Sequence, residues 1–337
     1  MIRLPAKLAS PVPVGVVGAG YYLPDRVLTN ADLEKMVDTS NDWIVERTGI
    51  HERRIAAAEM STSDMGVRAA KAALSNAGLT SNDIDMIICA TITPDTLFPS
   101  TACLIQKGIE ARESFAFDIS AACTGFIYAL ATAYTYLASG YVNRVLVVAA
   151  EKMSAFTDYT DRNTCVLFGD GAGAVVLSRI DKPGHGIIDF ILESDGTHAE
   201  WLQVPAGGSR RPASTSSIGE RMHYISMQGR EVFKFAVSAM KRATVRIAER
   251  NNLKAEDITW LIPHQANKRI IDAAAEALQL DPRRIHYNIH KYGNMSAAST
   301  AVGLSEVILT HTLRDGDIIL LVSFGAGMTW GSLLLRW

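Results

Sequence analysis

The chain reads as an α/β protein of two similar halves, each a largely parallel sheet covered by helices on both faces. Two observations predict this. Strand-like apolar runs alternate with helical periodicity along the chain, and one helix–turn–strand unit occurs twice. The first copy runs from Ala69-Ala70-Lys71-Ala72-Ala73-Leu74 through Gly78-Leu79 to Asn82-Asp83-Ile84-Asp85-Met86-Ile87-Ile88. The second runs from Ala243-Thr244-Val245-Arg246-Ile247-Ala248 through Asn252-Leu253 to Glu256-Asp257-Ile258-Thr259-Trp260-Leu261-Ile262. Asp257 follows Asp83 by 174 positions, and Ile318 follows Val145 by 173 in a second matching pair of strand-like runs. An offset near half of 337 residues indicates duplicated halves rather than a solenoid of short repeats. Buried parallel strands with helices above and below are the usual way to cover such apolar runs.

The remaining elements follow in order. Ser114 to Ile119 predicts a buried strand and Thr124 to Leu137 an apolar helix, separated by the small-residue turn Ser120-Ala121-Ala122-Cys123-Thr124-Gly125. Lys182-Pro183-Gly184-His185-Gly186 is rich in turn residues and places the join between halves 1–185 and 186–337. Pro205 to Ser217 is too polar for a regular element and reads as a surface loop, over a site or merely passive. The strand Ile258 to Ile262 leads through Pro263-His264-Gln265-Ala266-Asn267 into a helix over Arg269 to Leu278. A strand-like Arg284 to Ile289 then leads through Tyr292-Gly293-Asn294 into a helix over Thr300 to Thr310.

Composition excludes several classes. The formal net charge of −2 carries no signature of nucleic-acid or anionic-membrane binding. Cys89, Cys103, Cys123 and Cys165 form no CxxC pair, so neither a zinc site nor a disulfide framework is expected. Pro5, Pro11 and Pro13 interrupt any apolar segment after Met1-Ile2-Arg3-Leu4. No apolar run approaches the ~18 residues of a membrane span, and a cytoplasmic location is expected. Gly15 to Gly20 follows no proper strand and precedes no helix, while Gly169 to Gly173 runs into a strand. Neither has the setting of a dinucleotide fingerprint, so no NAD, no metal and no resident cofactor is expected.

Chemistry concentrates at strand ends. A helix N-terminus favours thiolate over thiol, so Cys123 reads either as a nucleophile of lowered pKa or as a buried structural thiol. His264 and Asn294 lie at comparable junctions, and ligand sites of α/β sheets gather at the carboxyl ends of strands. Each has a plainer role: strand-end histidines are more often structural, and an asparagine after glycine is usually a turn residue. The tail Ser323-Phe324-Gly325-Ala326-Gly327-Met328-Thr329-Trp330-Gly331 offers a turn able to aim a backbone N–H at an oxyanion.

Ala121-Ala122-Cys123-Thr124-Gly125-Phe126, Pro263-His264-Gln265-Ala266-Asn267 and Tyr292-Gly293-Asn294-Met295-Ser296-Ala297-Ala298-Ser299 together resemble the β-ketoacyl-[acyl-carrier-protein] synthase III family. The resemblance extends to Thr29 to Glu34, Trp43 to Ile50, Phe168 to Ala174 and Thr329 to Ser332, and so covers nearly the whole chain. It implies a thiolase-like fold, with two pseudo-symmetric α/β halves whose mixed sheets sandwich helices in five layers, assembled as a homodimer.

The resemblance also implies roles. Cys123 takes an acyl group from acyl-CoA, and malonyl-acyl carrier protein loses CO₂ to give the carbanion that attacks it. His264 and Asn294 donate to the thioester oxygen where enolate charge develops. The backbone of Cys123 and Ala326 forms a second oxyanion hole. Trp43, Arg47 and Arg162 hold the adenine end of CoA, and Phe233, Ala266 and Asn267 its pantetheine arm. Lys234, Gln265, Lys268 and Arg269 dock the carrier protein. Phe98 closes the acyl pocket across the dimer, which favours a short primer such as acetyl-CoA. Ala326 stands where many members carry glycine, Asn163 likewise, and Met295 where threonine is common. Alanine tolerates positive φ poorly. Two other readings remain: acyl transfer to an oxygen or nitrogen nucleophile in secondary metabolism, and a non-catalytic module that binds carrier protein.

Overall fold

The computed structural model describes residues 7, 8 and 11–337. The reading of Met1 to Pro5 lies outside them. Two main sheets carry the fold. The first contains β1 (Val14–Tyr22), β2 (Met86–Ala90), β3 (Phe115–Ile119), β4 (Arg144–Lys152) and β5 (Asp170–Arg179), in the order β1-β5-β4-β2-β3. The second contains β6 (Gly186–Ser194), β7 (Ile258–Pro263), β8 (Ile318–Gly325) and β9 (Thr329–Arg336), in the order β7-β8-β9-β6.

The two orders correspond. β2 and β4 pair parallel with Met86 opposite Val145, and β7 and β8 pair parallel with Ile258 opposite Ile318. In each sheet the next strands, β5 and β9, run antiparallel, followed by β1 and β6. Every strand of the first sheet ends by residue 179 and every strand of the second begins at 186 or later.

Six longer helices complete the layers: α1 (Thr62–Ala77), α2 (Thr101–Ile109), α3 (Gly125–Ser139), α4 (Gly229–Arg250), α5 (Lys268–Glu276) and α6 (Ala297–Thr310). α1 and α2 cover the outer face of the first sheet through Ala69, Ala73 and Ile105. α3 and α6 fill the space between the sheets, where Phe126, Leu130, Ala301 and Leu304 meet Val147, Val175 and Leu321. α4 and α5 cover the outer face of the second through Ala239, Met240, Ile247 and Ile271. The result is five alternating layers, with most residues of α3 and α6 buried because both their faces are covered.

Close helix approach explains the glycine runs. A Cβ on Gly20 would lie 2.3 Å from the backbone nitrogen of Ala73 in α1, and one on Gly173 would lie 2.5 Å from the carbonyl carbon of Ala301 in α6. Gly15 to Gly20 lies inside a strand, β1, and not in a turn that follows one.

Two further expectations are corrected. Arg284 to Ile289 is not a strand: Pro282–Arg284 is a 3-10 turn, and only Ile285 makes a bridge, to Leu261. The side chain of Gln265 accepts from Asn288 N (3.1 Å) and Ile289 N (3.0 Å), taking the donors a ladder would need. Within the supposed loop, Thr215–Gly219 is helical, capped by Ser214 accepting from Ser217 N.

Candidate active site

Cys123 sits in a 3-10 turn, Ala122–Thr124, between β3 and α3. Ala122 has φ 46°, a left-handed conformation that makes this a sharp, strained corner. The second sheet pins it in place. Ser323 Oγ donates to Cys123 O at 2.7 Å, and Thr329 Oγ1 donates to Ala121 O at 3.1 Å. A Cβ on Gly325 would come within 2.6 Å of Cys123 N, so only glycine lets β8 reach the turn.

Of the two readings of Cys123, the structure does not give the thiol of lowered pKa. Burial pushes Cys123 up to about 12, outweighing the favourable effects of the Ser296 hydroxyl and the cysteine's own N–H. Cys123 is only 8% exposed, so little solvent remains around sulfur to stabilise a thiolate.

His264 follows β7 directly, and its backbone N–H donates to Val322 O of β8 at 2.8 Å. Its ring is fully buried, edge-on to Phe324 at 5.7 Å between centroids. Among the described residues neither ring nitrogen has a hydrogen-bond partner. Burial lowers its pKa to about 3, so the imidazole is neutral, with one N–H to donate.

Asn294 reaches the same place by a route the sequence did not show. It follows the short helix Ile289–Tyr292 and bridges Phe168 instead of ending a strand. Its N–H donates to Leu167 O at 2.9 Å, and its carbonyl accepts from Gly169 N at 3.0 Å. Asn294 Oδ1 accepts from Ser296 N at 2.8 Å.

Cys123, His264 and Asn294 line one cavity of about 840 Å³, together with Ala326 and Phe324. Ala326 is not in the left-handed region; Gly327, at φ 122°, takes that conformation instead. Alanine at 326 therefore carries no backbone strain.

Trp43, Arg47, Phe233, Ala266 and Asn267 line the same cavity. Two cations approach Trp43, with the guanidinium of Arg162 4.7 Å from its ring and that of Arg47 at 5.8 Å. Arg162 also pairs with Asp38 at 3.5 Å, and Asn163 lines the cavity beside it. Asn267 caps α5 by accepting from Arg269 N at 2.9 Å, and its amide donates to Arg47 O at 2.8 Å.

Lys234, Lys268 and Arg269 are exposed; Lys234 and Arg269 line the cavity and Lys268 does not, and the Arg269 guanidinium lies 5.0 Å from the Phe233 ring. Gln265 does not belong with them. It is fully buried and donates to Pro263 O (2.8 Å) and His286 O (3.1 Å), so its amide holds the backbone behind His264. Phe98 is 84% exposed and lies outside the cavity of its own chain.

Some lining residues had no signal in the sequence. Leu202, Val204, Ile225, Met227 and Arg230 flank the 205–217 segment, and they line the cavity where the segment itself does not. Glu151 and Ser296 were also missed. Ser296 stood inside a quoted motif, but nothing in its spacing marked it. Among the described residues no His/Cys/Asp/Glu group is arranged to hold a metal, and no helix is long and apolar enough to cross a membrane.

The layered fold, with a cysteine on the turn between the sheets, is that of the thiolase-like acyltransferases. Comparison narrows the class. Residues 117–196 match the family model 3-oxoacyl-[acyl-carrier-protein] synthase III, and 248–337 match the model of its C-terminal part. The beta-ketoacyl-[acyl-carrier-protein] synthase III of Caldanaerobacter subterraneus subsp. tengcongensis is 52% identical over 326 residues, covering 97% of this chain and 98% of the relative. That of Symbiobacterium thermophilum is 50% identical over 325 residues, covering 96% and 98%. The crystal structure of 3-oxoacyl-[acyl-carrier-protein] synthase III from Aquifex aeolicus VF5 matches with TM-score 0.88 at 47% identity, covering 96% of this chain and all of that one. The chain belongs to the beta-ketoacyl-[acyl-carrier-protein] synthase III family.

Proposed function

We propose that this chain condenses an acyl-CoA primer, acetyl-CoA, with malonyl-acyl carrier protein to start fatty-acid synthesis, using Cys123, His264 and Asn294. One observation carries the assignment of residues: a buried thiol, a neutral imidazole without partners and an oriented carboxamide line the same cavity.

Each has a task suited to its chemistry. Cys123 attacks the primer thioester and releases CoA, with its own backbone N–H and that of Ala326 receiving the tetrahedral oxyanion. Decarboxylation of the malonyl group needs no strong base, because departing CO₂ leaves its electron pair behind. It needs donors on the thioester oxygen as enolate charge develops. A neutral His264 N–H and the Asn294 amide supply them. The carbanion then attacks the acyl-Cys123 carbonyl, and the product leaves on the carrier protein.

CoA enters with adenine at Trp43, Arg47 and Arg162, where stacking and charge suit a base with phosphates. Its arm passes Phe233, Ala266 and Asn267. The exposed cations Lys234, Lys268 and Arg269 meet the acidic carrier protein. In the homodimer, Phe98 of one copy closes the acyl pocket of the other. Its exposure beside Leu97, 81% exposed, supports that role, as does the unpaired edge of β3 with Phe115 partly exposed. The halves 1–185 and 186–337 contribute Cys123 and the His264–Asn294 pair respectively.

A steady-state panel of acyl-CoA primers against malonyl-acyl carrier protein tests this reading. Preference for acetyl-CoA is expected. Preference for long or branched primers contradicts the role of Phe98, and efficient ester or amide product without malonyl-acyl carrier protein contradicts the condensation.

A further inference from the structure

In the steps above nothing takes the thiol proton of Cys123. A thiol pushed up to about 12 does not ionise unaided near neutral pH, and an imidazole lowered to about 3 is a poor base. Beside the thiol stands a carboxyl group with no part in the steps above. Glu151, at the end of β4, is fully buried. Its carboxylate accepts from Thr93 Oγ1 (2.6 Å), Thr91 Oγ1 (3.1 Å), Ile92 N (3.1 Å) and Thr93 N (3.1 Å).

Between them lies Ser296, fully buried just before α6. Its hydroxyl is adjacent to both the Cys123 thiol and the Glu151 carboxyl, but it completes a well-formed hydrogen bond with neither. It does not cap α6 either. A buried hydroxyl with no structural bond, set between a nucleophile and a carboxylate, calls for an account.

We infer that Ser296 and Glu151 relay the Cys123 proton, with Glu151 as the base and the Ser296 hydroxyl as the bridge. This rests on Cys123 being the acylated nucleophile. As the sulfur bonds to the primer carbonyl carbon, the thiol proton passes to Ser296 Oγ and the Ser296 proton to the Glu151 carboxylate. The carbon–sulfur bond to CoA breaks, and the CoA thiolate leaves to take a proton from water. In the second half-reaction the carbanion attacks the acyl carbonyl and the bond to Cys123 breaks. The sulfur then recovers its proton from Ser296, which is resupplied by Glu151. Charge and protons balance in both halves, and the carboxylate is regenerated.

The surroundings fit the task. Burial raises Glu151 to about 7 despite its donors, so it can accept and return a proton near neutral pH. The titratable groups around it are Cys123 from the turn before α3 and Cys89 from β2, the latter flanked by Asp118 and Asp95. Ser296 holds φ 48°, so glycine there removes the hydroxyl without backbone strain.

The test is single-turnover acylation of the full chain by acetyl-CoA, followed by intact mass from pH 5.5 to 10. Wild type, Ser296→Gly, Glu151→Gln and Cys123→Ala are compared. Wild-type acylation is expected to rise with pH and level off just above neutrality. The two relay variants are expected to be about 100-fold slower at pH 7, and to recover at alkaline pH as solvent ionises the thiol. Relay variants with the wild-type pH profile overturn the relay, as does uniform slowing without alkaline recovery. Ser296→Gly decides the matter if Glu151→Gln does not fold. A wild type that is never acylated, like Cys123→Ala, overturns the nucleophile and the relay together.

Discussion

The backbone N–H of Ser296 donates to Asn294 Oδ1 at 2.8 Å, which commits the oxygen of that carboxamide and leaves its NH₂ for the cavity. The bond fixes an orientation that side-chain rotation would otherwise leave open. It makes Asn294 a donor, as a developing enolate requires.

Asn294→Asp keeps the shape but replaces the donor by an acceptor. CO₂ release from malonyl-acyl carrier protein should fall by about 10²–10³, with Cys123 still acylated by acetyl-CoA. Loss of acylation without loss of decarboxylation would place Asn294 in the wrong half of the cycle. Radiolabelled CO₂ and intact mass, taken on the same sample, separate the two.

His264 predicts a pH signature in stability. Burial lowers its folded pKa to about 3 from the ordinary histidine value of 6.5, so the folded chain resists a proton the unfolded chain accepts. Stability from this group is complete above about 6.5 and is lost as pH falls from there toward 3, by up to about 1.4 kcal/mol per pH unit. His264→Gln removes that slope. Urea unfolding at pH 7 and pH 5 should therefore show the variant gaining on wild type by roughly 1–2 kcal/mol at the lower pH. Parallel behaviour of the two proteins would show a histidine that titrates normally.

Gly325→Ala would set a methyl 2.6 Å from Cys123 N. Backbone must move there, and it is the backbone proposed to receive the oxyanion. Acylation by acetyl-CoA should slow by about 100-fold. Quenched-flow intact mass measures it, and an unaffected rate would remove this turn from the oxyanion hole.

The end of α4 is tied to β6 by a partly buried ion pair. Asp189 is fully buried and accepts from Arg250 Nε at 2.8 Å, from Arg250 Nη2 and from Asn251 Nδ2 at 2.7 Å. Arg250→Ala leaves that carboxylate buried and should cost about 3–5 kcal/mol. A shift in the urea midpoint of less than about 1 kcal/mol equivalent would show the pair to be replaceable by water.

Much of this architecture was legible because duplication leaves a periodic trace. The spacing of Asp83 and Asp257 pointed to matching helix–turn–strand units, and β2 with β4 repeats as β7 with β8. The stretch after Arg284 was misread because its β-like composition does not reveal that Gln265 captures the amides of Asn288 and Ile289. Gln265 itself was misplaced among docking residues for the same reason: its neighbours in sequence are exposed, but its partners are distant and buried. Cys123, His264 and Asn294 could be singled out because they stand in distinctive motifs, and the fold brings all three to one cavity. The thiol's raised pKa was not legible, since burial depends on five layers closing over the turn. Glu151 and Ser296 meet only in three dimensions, 145 positions apart (296 less 151).

The most direct measurement is a pulse and chase on the intact protein. Acetyl-CoA alone should add one acetyl group per chain at Cys123, seen by intact mass and located by peptide mapping. Malonyl-acyl carrier protein should then remove it within a turnover and yield 3-oxobutyryl-acyl carrier protein. An acetyl group that persists through the chase, or one attached elsewhere than Cys123, would contradict the assignment.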